Sequence, residues 1–414
     1  MTKKKIELLA PAGDLEKLKT AIIYGADAVY FGGELFSLRA GAGNLSIDEI
    51  REAMDFIHKH EARGYMTINI YPHNEDIAPL KSYLEKIKDI PIDAFLISDP
   101  GVMTIVKGII PDAEIHISTQ ANTTNYMTAA FWVQQMGASR IVAAREMNLE
   151  ELRQMKEILP PETEIEAFVH GAMCMSYSGR CLLSNFMVGR DANRGACTHP
   201  CRWQYSLVEE KRPGEYYPVE EDERGSYIMN SRDLCMLDKL PDLIEAGIYS
   251  LKIEGRMKSS FYVATVVSAY RAALDAYMED PEHYEFQEKW FDELCKASHR
   301  DFYHGFYYSK PDSSAQNYVS SDYTREYSFI GVVKECETDT GLTVVEQRNK
   351  FCVGDEIEVF GPRTEYTDEI VREMYDEDDK PIGAAPHPQQ TVKVKLSKTY
   401  PAEFILRKKK LVYR

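Results

Sequence analysis

The sequence predicts an α/β protein in which a (β/α)8 TIM-like barrel is followed by a small C-terminal antiparallel β-barrel domain. Short apolar strands alternate with amphipathic helical segments from the start of the chain, which is typical of a parallel sheet. Eight such strands fall within about 260 residues, close to the ~250 residues of a closed (β/α)8 barrel. From residue 329 onward, evenly spaced short β patterns replace this alternation and predict the second domain.

The first strand is predicted at residues 6–11 and the first helix at 14–24. Asp14 is the expected N-cap of that helix, because a carboxylate there can accept hydrogen bonds from its first backbone N–H groups. A doubly wound open sheet is the alternative fold, but it usually has fewer strands, and no Gly-x-Gly-x-x-Gly follows the first strand. The remaining strands of the barrel are predicted at residues 28–33, 65–69, 94–98, 115–118, 140–144, 165–169 and 250–253.

The domain boundaries follow from a change of composition after a helical run over residues 262–294. We assign residues 1–310 to the barrel, with cysteine-rich loops at 171–240, and residues 311–327 to a linker. Residues 328–414 form the small β-barrel domain. Its strands are predicted at residues 329–333, 342–345, 356–360 and 392–396.

The net charge of −17 argues against a protein that coats nucleic acid without sequence preference, because a negative field repels phosphate. Residues 171–202 differ from the rest, with four arginines against a single acid, Asp191. No stretch approaches the ~18 apolar residues of a membrane span, and the N-terminus does not resemble a signal peptide. We therefore expect a cytoplasmic protein with no membrane partner, in which thiolate ligands are favoured over disulfides.

Four polar residues are predicted at the carboxyl ends of barrel strands, where such barrels place their active sites. They are the candidate catalytic residues Arg145, His170, Glu254 and Arg256. An arginine fork matches a carboxylate or a phosphate, so Arg145 and Arg256 could grip an anion, although Arg256 could instead pair with Glu254. His170 could donate a hydrogen bond to a sulfur or to substrate, or could be a satisfied histidine of the barrel mouth.

Five of the eight cysteines are gathered in one segment, namely Cys174, Cys181, Cys197, Cys201 and Cys235. Their spacing is neither the paired C-x2-C of structural zinc sites nor a redox C-x-x-C. Four thiolates from a long loop suit a [4Fe-4S] cluster, whereas buried inert cysteines are the alternative. So long a loop in a compact domain is usually functional, and we favour a metal or cluster site.

Two motifs in this region resemble a known family. Residues 166–174 read E-x-F-x-x-G-A-M-C and residues 179–184 read G-x-C-x-L-S, which is similar to the signature of the collagenase-like peptidase family U-32. The opening L-A-P-A-G at residues 9–13 and the Y-F-G of the second strand resemble that family as well. The resemblance covers residues 5–310, and the trailing β module resembles the longer members.

The resemblance implies iron–sulfur-dependent hydroxylation of RNA rather than proteolysis. Within the family, the chain is most similar to bacterial members that form 5-hydroxyuridine at the tRNA wobble position. Related members hydroxylate a ribosomal RNA cytidine or ubiquinone precursors. The implied partners are a tRNA anticodon loop and prephenate or a related small acid, which the arginines at the mouth could bind. The implied ligands of the [4Fe-4S] cluster are Cys174, Cys181, Cys197 and Cys235, with Cys201 as the alternative to Cys197.

Two other functions stay open. The chain could be an RNA-binding or cluster-carrying partner of another hydroxylase, acting with a paralogous partner subunit, or it could be a collagenase-like peptidase. The sequence has neither H-E-x-x-H nor G-x-S-x-G, and the proximity of His170 to Cys174 along the chain does not make a dyad. Tyr177 and Trp203 are candidates for stacking on an RNA base, although aromatic residues of such loops more often pack internally.

Overall fold

The computed structural model describes most of the chain and divides it into two compact units. The described residues are 5–38, 43–174, 176–203, 206–207, 217–218, 232–310, 323–337, 339–364 and 366–410. The first unit comprises Met1–Ile22, Ala26–Lys258 and Arg300–Tyr323, and the second comprises Ile23–Gly25, Ser259–His299 and Thr324–Arg414.

The strands of the first unit are β1 (Glu7–Ala12), β2 (Ala28–Gly32), β3 (Arg63–Ile68), β4 (Ala94–Ile97), β5 (Ile115–Ile117), β6 (Arg140–Val142), β7 (Glu164–Ala172), β8 (Ser206–Leu207), β9 (Tyr217–Pro218), β10 (Asp233–Cys235), β11 (Ser250–Ile253) and β12 (Phe302–Tyr303). Strands β1 to β7 pair in chain order, each parallel to the next. Strand β11 pairs in parallel with both β7 and β1, which closes the barrel. The predicted fold class is therefore confirmed, with its eight strands in the predicted order.

Helices alternate with the strands of the first unit, and α9 and α10 follow its last barrel strand. They are α1 (Leu15–Ile23), α2 (Ile47–Lys59), α3 (Ile77–Ile87), α4 (Pro100–Ile109), α5 (Tyr126–Gln134), α6 (Leu149–Ile158), α7 (Leu183–Val188), α8 (Leu240–Glu245), α9 (Ser260–Glu279) and α10 (Glu288–Cys295). At the start of α1, the backbone N–H of Lys17 donates to Asp14 Oδ1 at 2.9 Å, as the predicted N-cap requires. None of the described helices is long and apolar enough to cross a membrane.

The interior of the barrel contains a buried network of charged side chains. The guanidinium of Arg140 lies 2.6 Å from Glu7, 2.7 Å from Glu164 and 3.0 Å from Glu166. Lys252 Nζ lies 2.6 Å from Glu166 on the neighbouring strand. Burial alone would raise the pKa of Glu166, but the charges of Lys252 and Arg140 hold it below its usual range. The charged form of Glu166 therefore depends on its two cationic partners.

The second unit is built on a seven-stranded antiparallel sheet that forms a half-barrel. The strands after β12 are β13 (Tyr327–Glu337), β14 (Leu342–Gln347), β15 (Phe351–Cys352), β16 (Glu356–Phe360), β17 (Tyr366–Ile370), β18 (Glu373–Tyr375), β19 (Ala384–Ala385), β20 (Thr391–Lys395) and β21 (Ile405–Lys409). The sheet order is β17-β16-β21-β13-β14-β20-β18. Its inner face buries Val333, Val345, Phe351 and Leu406 in one core.

Helices α9 and α10 belong to this second unit, although they directly follow the last barrel strand. The ring of Phe261 in α9 stacks on Phe329 of β13 with centroids 5.8 Å apart. In α10, Glu293 Oε2 accepts from the buried Arg407 at 2.9 Å. The second compact unit therefore takes over the chain after Lys258, whereas the sequence analysis placed the domain boundary at residue 310. The difference arises because an amphipathic pattern predicts a helix but does not show which domain the helix packs against.

Two local predictions near this boundary need comment. The helical run predicted over residues 262–294 is two helices, since α9 ends at Glu279 and α10 begins at Glu288. Pro281 lies in the gap, and a proline disfavours helix in the residue before it. Most of the predicted linker, residues 311–322, lies outside the described residues, and β13 already begins at Tyr327.

Candidate active site at the barrel mouth

A pocket opens in the first unit at the carboxyl ends of the barrel strands. The three predicted residues Arg145, Glu254 and Arg256 all line it. Among its other lining residues are Tyr30, Asn69, Ser118, Gln120, Phe168 and Lys252. This is the end at which (β/α)8 barrels carry out chemistry, so the pocket is the candidate active site.

Arg256 is buried and held by oxygens from the segment after β2. Its Nη1 donates to Ser37 Oγ and to the carbonyl of Leu38, both at 2.7 Å, and Nη2 donates to Asn44 Oδ1. These acceptors fix the orientation of the guanidinium. A Cβ on Gly32 would lie 2.2 Å from Arg256 Nη2, so the glycine that ends β2 leaves the space that this side chain fills.

Arg145 is held differently. Its guanidinium carbon lies 3.9 Å from the centroid of the Phe168 ring, and the side chain is half-buried. In the described part of the chain, no hydrogen bond or ion pair engages this guanidinium. A stacked arginine whose donors remain available can receive an anion without first breaking an ion pair.

Lys252 is a site residue that the sequence analysis did not single out. Its Nζ lies 4.2 Å from the centroid of the Tyr30 ring and 5.5 Å from that of Phe168, besides its ion pair with Glu166. Burial, together with the charges of two arginines, lowers the pKa of Lys252 although Glu166 opposes this. One feature of the sequence could have revealed it, namely a lysine within the otherwise apolar strand S-L-K-I at residues 250–253. Burying an unpaired cation there would cost free energy, so the lysine must have a partner.

His170 was predicted at the same mouth, but it does not line this pocket within the described residues. It lies on β7 opposite Cys235 of the antiparallel strand β10. Its ring is buried, with its centroid 5.4 Å from that of Phe302. His170 is therefore placed beside the cysteine-bearing strand rather than among the cations of the pocket.

The cysteine segment is attached to the rim of this pocket by polar contacts. The backbone N–H of Ser178 donates to Glu146 Oε1 at 2.8 Å. Arg180 Nη1 donates to the Tyr71 hydroxyl at 3.0 Å, and that hydroxyl donates to the carbonyl of Gln120 at 2.6 Å. Because Gln120 lines the pocket, these bonds hold the segment next to the mouth.

A glycine and an ion pair complete the attachment. Gly179 has φ of +72°, and a Cβ on it would lie 2.2 Å from the Gln120 carbonyl oxygen, so only glycine allows the segment to approach so closely. Farther along, Arg194 makes two hydrogen bonds of 2.8 and 3.1 Å to Asp76 in the loop after β3. A bidentate pair of this kind fixes orientation as well as distance.

Two of the predicted cluster ligands, Cys174 and Cys181, lie side by side. A hydrogen bond between their thiols raises the pKa of Cys174 and lowers that of Cys181 to about 5. The charge of Cys201 is a further, smaller cause that raises the pKa of Cys174. The sulfur of Cys197 accepts from the N–H of His199 at 3.4 Å, and Cys235 is buried on β10.

The chemistry of this donor set fits an iron–sulfur cluster, because it offers soft thiols from a segment attached to the rim of the pocket. Among the described residues, however, no three side chains of His, Cys, Asp or Glu are arranged as ligands of a single metal ion. The structure therefore brings Cys174 and Cys181 together. Cysteines 295, 336 and 352 are dispersed over the second unit.

Comparison with known proteins identifies the family. The model of peptidase family U32 matches residues 13–317, and that of the family's C-terminal domain matches residues 325–407. The chain is 43% identical over 403 residues to the tRNA hydroxylation protein P1 of Bacillus subtilis, covering 97% of this chain and 94% of that protein. It is 36% identical over 403 residues to the tRNA hydroxylation protein P of Escherichia coli, with 87% of each chain covered. A collagenase of Porphyromonas gingivalis is 32% identical over 375 residues, with 88% of each chain covered. Both domains of the chain match, and the protein belongs to peptidase family U32.

Proposed function

We propose that the protein is an RNA hydroxylase that forms 5-hydroxyuridine at the wobble position of tRNA and depends on a [4Fe-4S] cluster. The observation that carries this proposal is the 43% identity to a tRNA hydroxylation protein over nearly the full length of both chains. The pocket at the barrel mouth supports it, because the cysteine segment is attached directly to its rim.

The chemistry of hydroxylation explains why cysteines and the pocket belong to one site. Replacing C–H by C–OH is an oxidation, which side chains such as arginine, lysine and asparagine do not perform. When bound, the cluster would supply electron transfer, while the oxygen atom of the new hydroxyl would have to come from a co-substrate. We propose that Cys174, Cys181 and Cys235 hold the cluster together with Cys197 or Cys201.

The cations of the pocket suit a small organic acid. Arg256 is oriented in advance by neutral oxygens, Arg145 is stacked with its donors available, and Lys252 lies between two aromatic rings. We propose that they bind prephenate or a related carboxylic acid, with the carboxylates facing the arginines. Gln120 also lines the pocket and can contact the rest of such a ligand.

Proteolysis is a weaker reading, although one relative is a collagenase. A thiol protease needs a cysteine whose pKa is lowered by a neighbouring imidazole. Here the neighbour of Cys174 is the thiol of Cys181, and their hydrogen bond raises the pKa of Cys174. His170 lies opposite Cys235 instead.

The proposal is tested by complementation. The gene is expressed in an Escherichia coli strain that lacks its own tRNA hydroxylation protein P and paralogous hydroxylases, and tRNA nucleosides are measured by mass spectrometry. We expect 5-hydroxyuridine derivatives to return with the wild type and with Cys352→Ser, but not with Cys174→Ser. The purified protein, loaded with its cluster, is assayed alone on unmodified tRNA in parallel. Modification in cells without activity of the pure protein would instead indicate a partner subunit of another hydroxylase.

A further inference from the structure

The cysteine segment carries an unusual concentration of exposed apolar side chains. Within the described chain, six of the sixteen exposed large hydrophobic residues lie between residues 177 and 203. They are Tyr177, Leu182, Phe186, Met187, Val188 and Trp203. Exposed apolar side chains concentrated in this way indicate a binding surface more often than a solvated one.

Helix α7 presents the centre of this surface, which we call the α7 face and define by Tyr177, Arg180, Leu182, Phe186 and Arg190. The N–H of Phe186 donates to the carbonyl of Leu182 at 2.9 Å, so the two side chains are four residues apart on one side of the helix. Phe186 is 86% exposed, the highest value among those side chains. A phenylalanine so exposed gains nothing from the core of its own chain.

The charges on the α7 face indicate what it binds. Arg180 and Arg190 are exposed, and neither has a carboxylate partner among the residues that the structure describes. Arg194, by contrast, is occupied by Asp76. In a chain with net charge −17, two exposed guanidinium groups, six residues before and four residues after Phe186 along the chain, favour a phosphate-bearing partner over an acidic protein surface.

We propose that the α7 face binds single-stranded RNA, with a base stacked on Phe186 and the flanking phosphates contacted by Arg180 and Arg190. This inference rests on the proposed function and names the surface through which the tRNA anticodon loop is held. Aromatic stacking next to a cationic track is the usual way in which proteins bind unpaired bases. Because Arg180 is bonded to Tyr71 and Tyr71 to Gln120, RNA on this face lies beside the pocket.

The test measures binding of a fluorescent tRNA anticodon stem-loop to the full-length protein that carries its cluster. We expect Phe186→Ala to weaken binding about tenfold and Phe186→Trp to restore it, since a stacked base contributes about 1–3 kcal/mol. Phe186→Leu, which is apolar but cannot stack in the same way, should remain weak. Arg180→Ala and Arg190→Ala should each lower the slope of log K against log salt by about 0.7, as for one phosphate contact on a single strand.

Matched controls come from exposed residues elsewhere on the barrel. Phe131→Ala on α5 removes an aromatic ring that is 49% exposed, and Arg51→Ala on α2 removes an exposed arginine; neither should change binding. Iron content and melting temperature of the Phe186 variants should equal those of the wild type. If Phe186→Ala binds RNA as tightly as the wild type while both modify tRNA, the α7 face is overturned and the proposed function stands. If Phe186→Ala alters only self-association in light scattering, the face binds a second copy instead. If the wild type neither binds nor modifies tRNA, the proposed function fails first.

Discussion

The two arginines at the barrel mouth, Arg145 and Arg256, differ in how much each contributes to the stability of the fold. Arg256 is buried and donates hydrogen bonds to oxygens of Ser37, Leu38, Asn44 and Thr67, whereas Arg145 is half-buried and stacked on one ring. Removing Arg256 leaves buried acceptors without donors, at about 1–3 kcal/mol each. Removing Arg145 strands no partner among the described residues. The two arginines therefore allow ligand binding to be separated from stability.

We predict that Arg145→Ala abolishes tRNA modification while its melting temperature stays within about 2 °C of the wild type, because it loses a ligand contact but little packing. Arg256→Ala should lose both activity and several degrees of melting temperature. Modification assays and calorimetry on the two variants measure this, with Arg51→Ala as the unaffected control. An Arg145→Ala protein that keeps full activity would remove Arg145 from the site.

We predict that Cys174→Ser, Cys181→Ser and Cys235→Ser each lose most of the iron of anaerobically purified protein. Iron and sulfide analysis with the visible absorption spectrum measures the loss, and Cys352→Ser should retain full iron. Cys197→Ser and Cys201→Ser are compared directly, and we expect one of the two to lose iron as Cys174→Ser does while the other retains it. A wild type that carries zinc and no iron would contradict the cluster.

Some residues of the site could be predicted from the sequence and others could not. The cysteines were recognisable because clustered thiols are rare, and Arg145 and Arg256 because each follows a barrel strand. The choice between Cys197 and Cys201 depends on how the loop folds back, which spacing does not encode. Likewise, the contacts of Arg256 with Ser37 and Leu38 join residues more than 200 positions apart, so no local pattern contains them.

At the level of elements, the period of the apolar pattern was sufficient for the barrel strands, because strands buried on both faces appear as short apolar runs. The same pattern predicted one helical run over residues 262–294, where the structure has the two helices α9 and α10. It also did not show that α9 packs in the second unit, because that depends on tertiary contacts. Strand β10 was missed as well, since its three residues are too few to show a period. It nevertheless carries Cys235 and places it opposite His170.

A polar cluster at the end of β17 makes the second unit sensitive to acid. Burial alone would raise the pKa of Glu369, but hydrogen bonds from Ser397 and Tyr400 lower it below its usual range. A carboxylate with a depressed folded-state pKa stabilises the fold above its unfolded pKa of about 4.3. That stability is lost as the pH falls through the folded-state value.

We predict that Glu369→Gln lowers the free energy of unfolding by about 1–3 kcal/mol at pH 7, and that its difference from the wild type shrinks below about pH 4. Urea unfolding followed by fluorescence at several pH values measures both quantities. Glu356→Gln, an exposed residue of β16, is the matched control and should show no such difference. A difference for Glu369→Gln that is constant with pH would mean that its carboxylate is not what the hydrogen bonds stabilise.

The whole molecule is a chain of two units whose segments alternate along the sequence. The first unit takes residues before and after the segment Ser259–His299, and the second takes that segment together with the C-terminal sheet. The family models, by contrast, divide the chain between residues 317 and 325. The boundary between the two family models therefore differs from the boundaries of the compact units. Helices α9 and α10 match the first family model but pack in the second unit.

This interleaving predicts the behaviour of a protein cut in two. If a protease site is inserted between residues 316 and 317 and cleaved, the second unit is made of α9 and α10 from one fragment and the sheet from the other. Contacts such as Phe261 with Phe329 and Glu293 with Arg407 would then hold the fragments together. We expect the nicked protein to elute as one species from a gel-filtration column and to separate only in denaturant. Release of the C-terminal fragment in buffer alone would show that the sheet folds without α9 and α10. Cleavage at this point therefore tests whether the C-terminal sheet is an independent domain or shares its hydrophobic core with helices from the other fragment.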